Sequence, residues 1–235
     1  PEIDRWILSR LQSLVAEVTE QMDQYEPTKA YRPVQEFVTD HLSNWYVRLC
    51  RRRFWKGEMG ADKRAAYHTL HTCLDTVARL MAPLAPFYAD RLYRDLNSGT
   101  SVHLSSFPEV DAAHLDAGLE ARMDLAQGLT SLVLSVRKRT KMRVRQSLAK
   151  MLVPVLNEER RAELAAITPL GLAEVNIKVL VPVTAESGVF TKKAKANFKT
   201  LGPKAGASMK AVAAGIAALS PEALNALETS GSWTL

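Results

Sequence analysis

The stretch HLSNWYVRLCRRRFWKG, His41 to Gly57, carries four arginines, a lysine and two tryptophans, with no acid until Glu58. Wound as an α-helix at about 100° per residue, the positions around it place Tyr31, Val34, Val38, Leu42, Trp45 and Leu49 on one apolar stripe. Asn44, Arg48, Arg51 and Trp55 share a second stripe roughly a third of a turn away, with Arg52 between the two. The spacing predicts a helix with one face in a core, Trp45 included, and a cationic aromatic face beside it. Guanidinium groups offer planar donors to phosphate and stack on bases, and an indole stacks directly, so this face suits RNA. The competing reading is a solvated basic helix end that complements the partial negative charge of a helix C-terminus.

Outward from this stretch the pattern is helical on both sides. Ile7, Leu11, Leu14, Val18 and Met22 mark a first amphipathic helix from Asp4 to about Gln24, broken at Tyr25-Glu26-Pro27. Thr28 then caps the long helix that Gly57 and Gly60 end. Tyr67, Leu70, Leu74, Val77, Met81 and Leu84 make a bundle-type stripe after Asp62, and Pro83 and Pro86 interrupt it before a helix over Phe87 to Leu96. Asn97 to Pro108 reads as a connector. A further helix is predicted from about Ala113 to Thr140, with Leu115, Leu119, Met123, Ala126, Leu129, Val133, Val136 and Thr140 on one side. It ends in the basic run Arg137, Lys138, Arg139, Lys141, Arg143, Arg145.

After residue 150 the period changes. Met151 to Leu156 and Val175 to Val183 are short β-branched runs around a helical stretch, Glu158 to Ile167. Val189 to Leu201 is basic and reads as extended, Gly202-Pro203 as a turn, Ala207 to Leu219 as an alanine-rich helix, and Ser220-Pro221-Glu222 as the capped start of another. The expected fold is therefore mainly α: a helical bundle over residues 1–148 followed by a small α+β domain over 149–235. The pattern opens in helix at Pro1 and stops at Trp233-Thr234-Leu235 in what reads as the start of a strand, so the sequence is expected to be a piece of a longer polypeptide.

The chain has 235 residues, 47% of them hydrophobic and 24% charged, enough for real cores. Its net charge of +6 is modest, but it is segregated. Arg48 to Lys56, Arg137 to Lys150 and Lys192 to Lys210 contain no acid, whereas Asp90 to Asp124 is acid-rich, and segregation is what a polyanion-binding face requires. Cys50 and Cys73 lack the number and spacing of a zinc site or disulfide framework and fit core positions in a reducing compartment. No run of 18 apolar residues occurs and no basic-then-apolar leader is present. A soluble, cytoplasmic protein with no membrane partner is expected.

A converging catalytic site is not legible. His68 and His71 lie three apart on a predicted helix, where a surface or capping role outweighs metal binding. There is no phosphate-cradling glycine loop, nucleophile elbow or dinucleotide fingerprint. Lys141-Met142-Arg143-Val144-Arg145 lacks the serine and second lysine of a nucleotide-binding loop and reads as electrostatic surface. No catalytic residue, metal ligand or cofactor is assigned to this chain.

The succession NWYVRLCRRRFW, TVARLMAPLAPFYADRLY, SVHLSSFPEVD and RKRTKMRVRQSL resembles the anticodon-binding helical domain of class I aminoacyl-tRNA synthetases of the isoleucine, valine and leucine group. Within that group it is most similar to the isoleucyl enzymes. VNIK at Val175 and NFKTLGPKAG at Asn197 resemble the C-terminal region of the longer, eukaryote-like type. Ser147 stands where the family usually has proline, and Ala205 and Ala207 where it often has bulkier residues. The resemblance implies a tRNA-binding part of a ligase whose catalytic and editing domains, with their ATP and magnesium, lie outside this chain. Implied partners are an isoleucine-accepting tRNA and the catalytic domain of the same polypeptide. Asn44, Arg48, Arg51, Arg52 and Trp55, with Arg137, Arg139, Lys141, Arg143 and Arg145, are the expected tRNA contacts. Lys192, Lys193, Lys195, Lys199 and Lys204 either extend them or keep a small domain soluble. A general RNA-binding module, or a protein-interaction scaffold derived from a valyl- or leucyl-type synthetase, are the alternatives. The fragment alone is expected to be inactive.

Overall fold

Trp6, Ile7, Leu11, Leu14, Val15 and Val18 are all buried along α1 (Glu2–Asp23), the helix on which the helices Pro27–Glu36, Ala61–Met81 and Ala117–Arg139 pack. The computed structural model describes residues 1–155, 161–162, 164–165, 167, 175–183, 193–220, 223–224, 226–227 and 231, without the side chains of 204, 205 and 207. It divides into two compact units, Pro1–Arg145 with Pro169–Val175, and Gln146–Thr168 with Asn176–Leu235.

In the first unit, α1 stops where Tyr25 adopts a left-handed backbone (φ 58°), its N–H bonded to the Met22 carbonyl and that of Glu26 to Gln21. Pro27 opens α2 (Pro27–Glu36) at the first helical position. The helical path then runs on through a π-wound segment, Phe37–Val47, to α3 (Arg51–Trp55). This change of winding corrects the predicted stripe. Ala30, Val34, Phe37, Leu42, Trp45, Tyr46, Cys50 and Phe54 are buried, whereas Tyr31, Val38 and Leu49 are only half-buried. Hydrogen bonds from i to i+5 put more than about 3.6 residues in a turn, so the inward positions drift forward along the sequence and carry Phe37, Tyr46 and Phe54 into the core.

A similar rotation applies to α4 (Ala61–Met81). Its buried line is Ala66, Thr69, Cys73, Thr76, Val77 and Leu80, with Leu70, Leu74 and Met81 half-buried beside it and Tyr67 exposed. Small side chains on that line let the helix lie close to its neighbours. Helix α4 stops before Pro83, and Pro86 starts α5 (Pro86–Leu96). Asp90 of α5 accepts from the Ser101 hydroxyl (2.6 Å) and the Val102 N–H (3.1 Å), which fastens the connector and buries Val102. A short 3-10 turn, Ala112–His114, precedes α6 (Ala117–Arg139), which Asp116 caps by accepting from the Leu119 N–H. Leu115 therefore lies before the helix and is exposed, and the predicted apolar face is packed most tightly in its first half: Leu119, Met123 and Ala126 are buried, Leu129 and Val133 half-buried, and Val136 and Thr140 exposed.

A polar lattice aligns α6 on α1. Buried Glu120 accepts from the hydroxyls of Ser9 and Ser13 and from Arg10 (3.2 Å), and Arg10 also pairs with Asp124. The Arg10 guanidinium lies 3.3 Å from His41 Nε2.

The second unit holds a parallel pair, β1 (Leu148–Pro154) and β2 (Ile177–Val183), in register from Leu148 opposite Ile177 to Pro154 opposite Val183. Parallel strands need a crossover. Arg161, Ala162, Leu164, Ala165 and Ile167, between them in sequence, are helical, with Leu164 and Ile167 buried. The extended reading of Val189 to Leu201 fails from residue 198: Asn197 accepts from the Lys199 N–H and starts α7 (Phe198–Ala205), which runs through Gly202-Pro203. The turn expected at Gly202-Pro203 instead falls at Gly206, whose φ of +47° ends the helix. Helix α8 (Met209–Ala217) follows, and the Ser220 hydroxyl accepts from the Ala223 N–H as a cap should. Residues 184–192 and the strand expected at Trp233 lie outside the described residues. The fold is mainly α, as expected. Among the described residues no helix is long and apolar enough to cross a membrane.

Candidate nucleic-acid interface

The arginine run of α3 divides by direction. Arg53 turns inward: its two terminal nitrogens lie 2.6 and 2.8 Å from the Asp4 carboxylate, its Nε donates to Asp62 at 3.0 Å, and Nη1 lies 3.4 Å from Cys50 Sγ. Tyr46 donates its hydroxyl to the same Asp4 (2.9 Å). Burial disfavours the charged form of Asp4, but the Arg53 fork and the Tyr46 hydroxyl outweigh it and hold its carboxyl below the ordinary value of 3.8. The Asp4 bond in turn raises the pKa of Arg53, and burial beside Asp4 raises that of Tyr46. Arg51, Arg52 and Trp55 turn outward, Trp55 being 74% exposed. Arg51 and Arg52 make no ion pair or side-chain hydrogen bond among the described residues. Asp4 and Asp62 are thus committed to Arg53 rather than to Arg51 or Arg52.

Arg48 and Asn44, one and two turns earlier, are also exposed. They line a cleft of about 790 Å³ between the π-wound segment and α6, opposite Gln127, Gly128 and Ser131. His41 and Trp45 line it too, and each keeps a buried ring nitrogen, Nδ1 and Nε1, without a hydrogen-bond partner among the described residues. Burial, and then the neighbouring Arg10, push the His41 pKa below 6.5, so the ring is neutral near pH 7. A second cleft of about 520 Å³, lined by Glu20, Asp23, Glu109, Pro108 and Val110 among others, has no basic lining residue and does not suit a polyanion.

The other basic cluster lies at the far end of α6, roughly 12 Å along the axis from Ser131 at about 1.5 Å per residue. Arg139, Lys141, Arg143 and Arg145 are exposed there. Arg137 is not, which corrects its reading as an RNA contact. It is 1% exposed and donates to the carbonyls of Arg143 and Val175, each at 2.9 Å. It lies on the side of α6 that faces inward, in the last turn of the helix. In the second unit Lys193, Lys195 and Lys199 are exposed. Lys192 and the side chain of Lys204 lie outside the described residues.

Residues 4–152 match the family described as the anticodon-binding domain of tRNA ligase. The chain belongs to that family. It is 52% identical over 241 residues to an isoleucine–tRNA ligase of Bacteroides thetaiotaomicron, covering 100% of this chain and 21% of the relative. To those of Porphyromonas gingivalis and Chlamydia caviae it is 49% and 38% identical, with 100% and 96% of this chain covered and 21% and 22% of the relatives. The chain thus spans about a fifth of the length of the curated relatives it matches. The resemblance to isoleucyl enzymes read from the sequence motifs is borne out along the whole chain.

For an anticodon-binding domain the arrangement offers three chemistries. Exposed guanidiniums have the chemistry to pair with phosphate, an exposed indole the surface to stack on a base, and the cleft presents amides, Asn44 and Gln127, each with donors and acceptors of the kind a base edge takes. Gln127 and Ser131 had no local signature in the sequence. They line the same cleft as Asn44, on a helix that Ser9, Arg10 and Ser13 dock on α1 through Glu120.

Proposed function

We propose that this chain binds the anticodon stem-loop of an isoleucine-accepting tRNA as part of an isoleucine–tRNA ligase, the enzyme named for its relatives. The observation that carries the reading is the sorting of α3: Arg53 takes up the carboxylates of Asp4 and Asp62, leaving Arg51, Arg52 and Trp55 outward beside the cleft of Asn44 and Arg48.

In this mechanism Arg48, Arg51 and Arg52 meet backbone phosphates and fix register, and Trp55 stacks on an unstacked base. Asn44 and Gln127 hydrogen-bond a base edge turned into the cleft, and Arg139, Lys141, Arg143 and Arg145 add phosphate contacts. Lys193, Lys195 and Lys199 extend them. Binding energy gathered far from the reacting atoms helps hold the acceptor end in a catalytic domain. Among the described residues no group of three His, Cys, Asp or Glu could hold a metal ion. In this reading ATP and magnesium enter as requirements of the whole ligase, and the chain alone is expected to show no amino-acid-dependent ATP turnover. The cytoplasm, where tRNA is charged, is the compartment this reading requires.

The test is a titration of isoleucine-, valine- and methionine-accepting tRNA transcripts against the 235-residue chain at two ionic strengths. The isoleucine transcript should bind tightest, and more weakly at the higher salt. Equal affinity for all three would leave a general RNA-binding module, and no binding at either salt would overturn the reading.

A further inference from the structure

We infer that Arg137 is a positioning residue for RNA binding: its buried guanidinium holds the turn after α6 so that Arg139, Lys141, Arg143 and Arg145 stand ready as a preformed set of phosphate contacts. The inference rests on the tRNA-binding reading above and deepens it.

The first unit is made of two stretches of chain, 1–145 and 169–175. Arg137 reaches one carbonyl on each: Nη1 donates to Arg143, just before the chain leaves the unit, and Nη2 to Val175, where the returning stretch ends. Both bonds are 2.9 Å, within the ordinary range. Val175 is itself buried, so the second bond is anchored in packed structure. Between Arg137 and Arg143 the backbone closes on itself. The Lys141 N–H bonds the Lys138 carbonyl (3.2 Å), that of Met142 bonds the Arg137 carbonyl (2.8 Å), and Lys141 takes a left-handed φ of 57°. This is a helix C-terminal motif in which glycine is the usual residue. Here a lysine occupies it.

A surface turn with a base at nearly every second position has reasons to open. Like charges repel across it, and a non-glycine residue is held at a costly backbone angle. The Arg137 bonds oppose both. A turn fixed before RNA arrives avoids ordering several long side chains and their backbone at binding, and lowers the entropic cost of association. The chemistry also says why the residue is arginine. A planar fork can serve two carbonyls on separate segments at once, while a lysine ammonium has no second arm.

The test uses the full chain with Arg137→Lys, which keeps the charge, and Arg137→Met, which removes it. Each is made alone and in a background carrying Lys141→Ala, Arg143→Ala and Arg145→Ala. Titration with the isoleucine-accepting transcript should show roughly a tenfold loss for Arg137→Met, a smaller loss for Arg137→Lys, and a log–log salt slope shallower by about one to two units in both. In the alanine background neither should cost more than about twofold, since coupled sites are not additive. Trypsin should cut faster after residues 139 to 145 in both variants, with cutting after Arg51 and Arg52 unchanged. Equal losses in the two backgrounds would make Arg137 a merely structural residue and overturn the inference, as would wild-type affinity and slope. If Arg137→Met does not fold, Arg137→Lys carries the same comparison. If the wild type binds no tRNA, the proposed function has failed, and the trypsin pattern still decides: unchanged cutting in the turn refutes the clamp.

Discussion

Arg53 and Arg137 are the inward-turned arginines of two basic runs, and they are anchored by opposite means. Arg53 is held by charge, forked onto Asp4 and Asp62. Arg137 reaches neutral backbone, the carbonyls of Arg143 and Val175. In each run the inward arginine sets the geometry from which its neighbours face outward: Arg51 and Arg52 around Arg53, Arg139 to Arg145 beyond Arg137. A dense basic stretch is therefore a mixture of contacts and anchors, and which is which depends on what packs beneath it.

The comparison breaks hardest at Arg53. Replacing it with methionine leaves Asp4 buried without its fork, and stability measured by urea denaturation should fall by about 3–5 kcal/mol. Next in size is the outward face. Arg51→Ala, Arg52→Ala and Trp55→Ala together should weaken binding of the isoleucine-accepting transcript by about 100-fold, from two phosphate contacts and one stacked base, while circular dichroism melting stays near wild type. Loss of folding would mean that these residues, like Arg53, are structural.

A smaller effect concerns pH. Folded Asp4 has a pKa below its unfolded value, so its contribution is complete above about 3.8 and is lost as pH falls through the folded value. Folded His41 also has a lowered pKa, so the unfolded chain gains a proton first and stability begins to fall below about pH 6.5. Denaturation across pH should show both limbs in the wild type, with only the lower one diminished in Arg53→Met. Smallest is Lys141→Gly. It relieves the left-handed backbone at φ 57° and should stabilise the chain by about 1 kcal/mol while weakening tRNA binding slightly. Destabilisation would show that the lysine side chain, not the backbone angle, dominates there.

Much of this was legible in the residues. The order of helices, the proline breaks, Trp45 in the core and Trp55 outside it follow from period and composition. The phase of the stripes did not, because π winding between Phe37 and Val47 advances the inward positions, whereas the stripes assume about 3.6 residues per turn. Arg53 and Arg137 were indistinguishable from their neighbours by sequence, since Asp4 lies 49 residues from one and Val175 lies 38 from the other. The helix through Gly202-Pro203 was missed because the Asn197 cap was outweighed by two turn-forming residues. The motif succession carried the family where no single site could.

The central claim is that the outward cations of the helical unit exist to meet a polyanion. Its most direct test is the salt dependence of isoleucine-accepting tRNA binding to the wild-type chain and to the Arg51→Ala, Arg52→Ala double variant. The account predicts affinity that falls with salt at a log–log slope of several units, shallower by about one to two in the variant. A slope near zero, or one that the two substitutions leave unchanged, would contradict it.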